Sequence, residues 1–143
     1  MTLQTKYNKD ITIKASIDAG LVKAWQFYTL PEHIKHWNQA SPDWHTTHVT
    51  NDMRMGGRFL WRMEAKDGSF GFDFCGTYTE VVLNQRIGYT LDDERKVTIE
   101  FAGNANDMYI ILTFEPETEN PIELQRNGWQ AILDSFKHYA ETH

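Results

Sequence analysis

The sequence predicts an α+β domain: a curved antiparallel sheet of about six to seven strands wrapped around one long C-terminal helix, with two short helices after the first strand. Three observations predict it. The last stretch, 120–143, repeats apolar residues at helical spacing without a proline to interrupt it. The middle of the chain, from Trp44 to Glu115, repeats with period two and is broken at Gly-, Asp- and Asn-containing turns. Between the first strand and that run, two stretches carry helix-start residues and short apolar faces.

The elements follow in order. Ile11, Ile13, Ala15 and Ile17 alternate with Thr12, Lys14 and Ser16, a half-buried strand. Asp18 is the expected cap of a short helix with Leu21, Val22, Ala24, Trp25 and Tyr28 inward. Thr29-Leu30-Pro31-Glu32 opens a second helix through about Asn38, with Ile34 and Trp37 inward. His45–Asn51 is the next strand, and Met55-Gly56-Gly57 is a turn. Phe59, Trp61 and Met63 mark a strand over Arg58–Ala65, closed by the hairpin turn Lys66-Asp67-Gly68-Ser69. A long strand places Phe70, Phe72, Phe74, Gly76 and Tyr78 on one face, with Gly76 the expected bulge or bend. Strands over Ile87–Leu91, Lys96–Ala102 and Met108–Glu115 follow. In the final segment Asn120 is the expected cap, Pro121 the first helical residue and Glu123 the capping-box acid. Trp129, Ile132, Leu133, Phe136, Tyr139 and Ala140 form one apolar stripe. About 21 residues at about 1.5 Å each make a rod on the order of 30 Å long.

Bulk properties narrow the function classes. At 143 residues the chain is read as a single domain, 1–143, that buries roughly two-thirds of its unfolded surface. Twenty acids against 14 bases, net charge −6 and no basic run argue against nucleic acid as a partner. Cys75 is the one cysteine, so no intrachain disulfide forms and a reducing compartment is expected. Met1-Thr2-Leu3-Gln4-Thr5-Lys6 shows no signal-peptide core, and no apolar run approaches membrane-spanning length. The expectation is a soluble cytoplasmic protein without a membrane segment.

A straight rod in a curved trough cannot touch it along its whole length, and the gap is where a cavity belongs. Gly128, one turn before Ile132, implies either close backbone contact or empty space there. The aromatic set Trp37, Trp44, Phe59, Trp61, Phe72, Phe74, Tyr78 and Trp129 exceeds what packing alone needs, and its members are the candidate ligand-binding residues. Asp73 and Glu80 flank the expected bulge. Inside an apolar cavity either would have a raised pKa and could serve as a general acid or base, with Tyr78 beside them. The competing assignment is outward exposure with an ion pair to Arg58 or Arg62. No metal site is expected. His33 and His36 share a helix face, but His45 and His48, an odd number apart on a strand, point to opposite faces. Cys75, on the face opposite the aromatic set, is expected to be a small sheet residue rather than a nucleophile. Asp92-Asp93-Glu94 is expected to be a solvated hairpin tip.

Several motifs occur together in one order: Trp25, then Thr29-x-Pro31-Glu32-x-Ile34-x-x-Trp37, then Asp52-x-Arg54-x-Gly56-Gly57-x-Phe59, then Gly76-x-Tyr78-x-Glu80-Val81 with Ile87-x-Tyr89, and Gly128-Trp129-x-x-x-Leu133. This pattern resembles the helix-grip fold of the SRPBCC, or START/Bet v 1-like, superfamily, and within it the family named after the activator of the Hsp90 ATPase. The resemblance implies binding of a small apolar molecule, such as a lipid or polyketide, without a cofactor. Relatives that cyclise polyketides make a cyclase- or hydrolase-like enzyme the second reading, and whether the chain is an enzyme stays open at this point. A branch that stimulates a chaperone makes chaperone contact the third. Relatives of that branch carry an additional N-terminal domain that this sequence is read as lacking.

Overall fold

The computed structural model describes residues 9–143; the N-terminal stretch read above for a signal sequence lies outside them. The chain runs β1 (Ile11–Ile17), α1 (Leu21–Thr29), α2 (Pro31–Trp37), β2 (Trp44–Asn51), β3 (Arg58–Ala65), β4 (Gly71–Val82), β5 (Arg86–Leu91), β6 (Lys96–Gly103), β7 (Met108–Phe114) and α3 (Ile122–Thr142). All seven strands join one antiparallel sheet in the order β1-β7-β6-β5-β4-β3-β2, a meander to which β1 is added at the far edge. The sheet curls into a half-barrel, and α3 lies in its trough.

Burial follows the predicted alternation. β1 is buried at every second residue, and Phe59, Trp61 and Met63 of β3 face inward. Two bulges shift the phase elsewhere. In β2 the register to β3 skips Thr47, pairing Thr46 with Met63 and His48 with Arg62. His45 pairs with Glu64, so His45 and His48 share the outer face, contrary to the simple parity argument. In β4 the extra residue is Thr79, three positions after the expected site. Gly76 is instead a point of close approach: a side chain there would sit 2.4 Å from the Thr90 carbonyl oxygen. Because Thr79 is skipped, Val81 turns inward opposite Ile87 and Glu80 turns outward.

The helix starts also differ from expectation. Gly20, not Asp18, precedes α1, and the Asp18 N–H donates to Glu141 Oε2 of α3 (2.8 Å). Val22 is 57% exposed rather than inward. Leu30 stands at the cap of α2, because the Thr29 hydroxyl turns back to the Trp25 carbonyl (2.8 Å). At α3 the cap position falls to Pro121, and Asn120 donates its side-chain N–H to Glu117 instead.

The C-terminal half of α3 is packed solid. Leu133, Phe136 and Ala140 are buried; Phe136 meets Tyr28 and Trp37 edge-on at 5.0 Å each, and Phe27 packs on Tyr139. One flank of the helix clasps the edge strand: Gln130 and Lys137 donate to the Lys14 and Ser16 carbonyls, and Arg126 reaches that of Thr12. Carbonyls that would otherwise leave β1 open to pairing with another chain are thereby occupied.

Candidate functional site

Beneath the N-terminal half of α3 the trough is not filled. A cavity of about 290 Å³ opens there, at the small end of the range for small-ligand sites. Its sheet wall carries Trp61 and Met63 of β3, Phe72 and Phe74 of β4, Tyr89 of β5 and Leu112 of β7. Its helix wall carries Trp129, Ile132 and Leu133, and Tyr28, Trp37 and Asn38 close the end toward α1 and α2. The rings brace one another: Trp129 stacks on Phe114 at 4.1 Å and meets Phe74 edge-on at 6.0 Å, and Phe74 lies 5.8 Å from Trp61.

A polar group lies where the loop before α3 meets the cavity. The buried Gln125 donates to the Glu117 and Asn120 carbonyls (3.0 and 2.8 Å) and accepts from the Glu117 N–H (2.9 Å). Desolvation pushes the Glu117 carboxyl pKa up, but N–H donors from Glu119 and Asn120 outweigh it and hold the pKa below the usual value. Arg95 donates to Asp93 (2.8 Å). Every one of these side chains is thus committed to a protein partner.

The opposite holds inside. Trp61 is 7% exposed, yet its indole N–H has no acceptor among the described residues. Tyr28 and Tyr89, 8% and 6% exposed, make no side-chain hydrogen bond among the described residues. Burial pushes both phenol pKa values well above normal, so both hydroxyls stay protonated. Trp37, by contrast, donates to the Phe27 carbonyl (2.9 Å), and Asn38 donates to Thr46 (3.2 Å).

Of the sequence-derived aromatic set, Trp37, Trp61, Phe72, Phe74 and Trp129 meet at the cavity. Phe59 sits behind the wall, packed on Tyr78 and Tyr89. Tyr78 is buried there too, its hydroxyl donating to Asn51 Oδ1. Trp44 lies with Phe70 and Phe72 at the β3–β4 hairpin, where Phe70 is 63% exposed rather than part of the inner face. Asp73 and Glu80 lie outside the cavity: Asp73 pairs with Arg62 (3.4 Å) and Glu80 with Arg86 (2.7 Å), both half-exposed. Asp73 alternates away from Phe72 and Phe74, and the Thr79 bulge turns Glu80 out.

Among the described residues no group of three or more His, Cys, Asp and Glu is arranged to hold a metal ion. His33 hydrogen-bonds the Tyr139 hydroxyl (2.7 Å) and His36 stacks on the same ring. Cys75 is half-buried on the outer face with its thiol 3.2 Å from Asp92; desolvation and that carboxylate push its pKa up, away from a reactive thiolate. The hairpin tip is not merely solvated, because Asp92 receives a two-pronged bond from Arg58 (2.6 and 2.8 Å).

Sequence reasoning missed Tyr28, Tyr89 and Gln125 as cavity residues. A polar residue at position 125, one turn before Trp129 on the apolar stripe, was the readable sign. A curled sheet closed by one long helix over an aromatic cavity defines a helix-grip domain. The match that names the family is to the model described as activator of Hsp90 ATPase homolog 1-like protein, over residues 18–141, and the chain belongs to that family. It is similar to the solution structure of an AHSA1-like protein from Aeromonas hydrophila (42% identity, 94% of this chain and 93% of that one, TM-score 0.88). A protein from Cytophaga hutchinsonii is also similar (47% identity, 93% and 92% covered, TM-score 0.80). A protein from Chromobacterium violaceum, at 22% identity with 94% and 99% covered and a TM-score of 0.82, shares the fold. Among curated proteins no match was found.

Proposed function

We propose that this protein binds a small apolar or aromatic molecule in the cavity between the sheet and α3, and does so in the cytoplasm. The observation that carries the reading is the aromatic-walled hollow of about 290 Å³ beside a helix half that is otherwise packed solid. Burying a flat apolar ligand there removes water from Trp61, Phe74 and Trp129 together. The acid/base reading draws no support from Asp73 and Glu80, which are ion-paired away from the cavity, nor from Tyr78, whose hydroxyl is engaged by Asn51.

Native mass spectrometry against a panel of lipids, polyketides and flavonoids tests the reading. A stoichiometric complex is expected with at least one flat apolar class, together with quenching of tryptophan fluorescence. No complex above background with any class would end it. Chaperone contact is a second reading, favoured by the exposed cluster of Phe70 and Phe72 beside Trp44 and by the family's relation to Hsp90 co-chaperones. Titration with purified Hsp90 tests it, and the absence of a complex at tens of micromolar protein would remove it.

A further inference from the structure

We infer that the cavity is closed to long chains: it takes a compact apolar ligand of at most about ten carbon-sized groups, and Trp37 is the residue that sets this limit. The inference rests on the binding function proposed above and deepens it to a ligand class, one- or two-ring molecules and short chains rather than long acyl chains.

Three observations combine. First, the volume is small. At about 30 Å³ for each water-sized group, 290 Å³ holds at most about ten such groups.

Second, the end toward α1 and α2 is blocked. Trp37 is 1% exposed and lines the cavity, as do Ile132 and Leu133 of α3, whereas Phe136, the next inward residue of the helix, does not. The indole thus stands between the hollow and the sealed part of the helix, edge-on to Phe136 at 5.0 Å and packed on Tyr28 at 4.8 Å. On the sheet side the β7 lining stops at Leu112; Ile110, two residues back on the same face, is fully buried, and Phe101 backs Tyr28 at 5.5 Å. Trp37 cannot swing aside without losing the bond from its N–H to the Phe27 carbonyl (2.9 Å) and its packing on Tyr28, Trp61 and Phe136.

Third, the other end is polar. Arg95, Glu117, Gln125 and the exposed Asn120 line it. Chain atoms that pass this mouth meet charged groups and water, so they add no apolar burial and no affinity. A long chain is therefore stopped at one end and gains nothing at the other.

The test uses the full chain, straight 1-alkanols from six to fourteen carbons, and naphthalene as a compact reference. Affinities are taken from tryptophan fluorescence. Binding is placed in the cavity by movement of the Trp129 indole signal in ¹H–¹⁵N NMR, assigned by its loss in Trp129→Phe. In the parent protein naphthalene should bind, and alkanol affinity should rise about fourfold per added methylene and level off by about ten carbons. Trp37→Leu opens the end wall toward Phe136, so the break should move out by about two carbons, and 1-dodecanol should bind about tenfold tighter than 1-decanol. Trp37→Phe keeps a ring against Tyr28 and Phe136, so it reads out even if the leucine variant folds poorly; its break should move by about one carbon. A role in stability alone would lower affinity at every length and leave the break where it is. Affinity that climbs unbroken to fourteen carbons in the parent, a break at the same carbon in every folded Trp37 variant, or binding of naphthalene with no alkanol bound overturns the length limit while leaving apolar binding standing. Binding of neither naphthalene nor any alkanol, with no indole signal moving, overturns both.

Discussion

The two halves of α3 lie in the same trough and meet it differently. From Phe136 to Ala140 the helix is sealed: Phe136 is fully buried between Tyr28 and Trp37, so α1 and α2 fill the space the curved sheet cannot reach. From Gln125 to Ile132 no short helix intervenes, and the hollow remains. A straight helix on a curved sheet thus needs filler to make a core, and where filler stops a site begins. The contrast also separates stability from binding: the sealed half should carry folding energy, and the open half should carry ligand.

Breaking the sealed half should have the largest effect. Phe136→Ala removes a ring with no exposure and leaves a void under two aromatic neighbours, so unfolding free energy should fall by about 3–5 kcal/mol in a chemical denaturation experiment. A loss below about 1 kcal/mol would mean that both halves are equally loose. In the open half, Trp129 is half-buried, so Trp129→Ala should cost only about 1–2 kcal/mol. The same change strips one wall of the cavity and should weaken binding of a flat apolar probe such as naphthalene at least severalfold by fluorescence titration. A stability loss as large as that of Phe136→Ala, with binding intact, would reverse the assignment of roles.

The sealed half was legible in the sequence, and the open half only in outline. Apolar stripes repeat with the period of their element, so β1, β3 and the run from Trp129 to Ala140 could be read directly. Bulges have no such period. Thr47 and Thr79 look like ordinary strand residues, yet each reverses the facing of the residues after it, and this is why parity alone misplaces His48 and Glu80. Capping chemistry misleads for a related reason: Asp18 and Asn120 are suitable caps, but Gly20 and Pro121 stand at the cap positions, the Asp18 N–H donates across the fold to Glu141, and the Asn120 side chain turns back to its near neighbour Glu117. The cavity's aromatic wall was visible as a surplus of large rings. Its unpartnered donors were not, because whether a tyrosine hydroxyl finds an acceptor depends on what lies opposite it in space.

A smaller change sharpens the contrast from the other direction. A side chain at Gly128 would meet nothing within 4 Å, which decides for empty space over close contact. Gly128→Ala should therefore stabilise the helix by about 0.5–1 kcal/mol through reduced freedom of the unfolded chain, seen as a higher denaturation midpoint with an unchanged slope. Destabilisation would mean that the backbone there closes on the sheet in solution.

The smallest expected effect lies on the outer face of the sheet, opposite the trough. The Arg58 guanidinium, and after it the Cys75 thiol, hold the Asp92 carboxyl at a pKa of about 2, below the roughly 4 of an unfolded aspartate. A depressed folded pKa means that the stabilisation is fully present above pH about 4 and is lost as the pH falls toward 2. Because the pair is half-exposed, salt screens it and its contribution is modest. Asp92→Asn should make the thermal midpoint less sensitive to pH between about 4 and 2, and the difference from the parent should shrink in roughly 0.5 M salt. An unchanged acid limb would shift the cause to Glu117 and Glu141, whose carboxyls are also held below their normal pKa, one beside the cavity and one clasping β1 through the Asp18 N–H. Acid would then act on both ends of α3, at Glu117 in the loop before it and at Glu141 in its last turn.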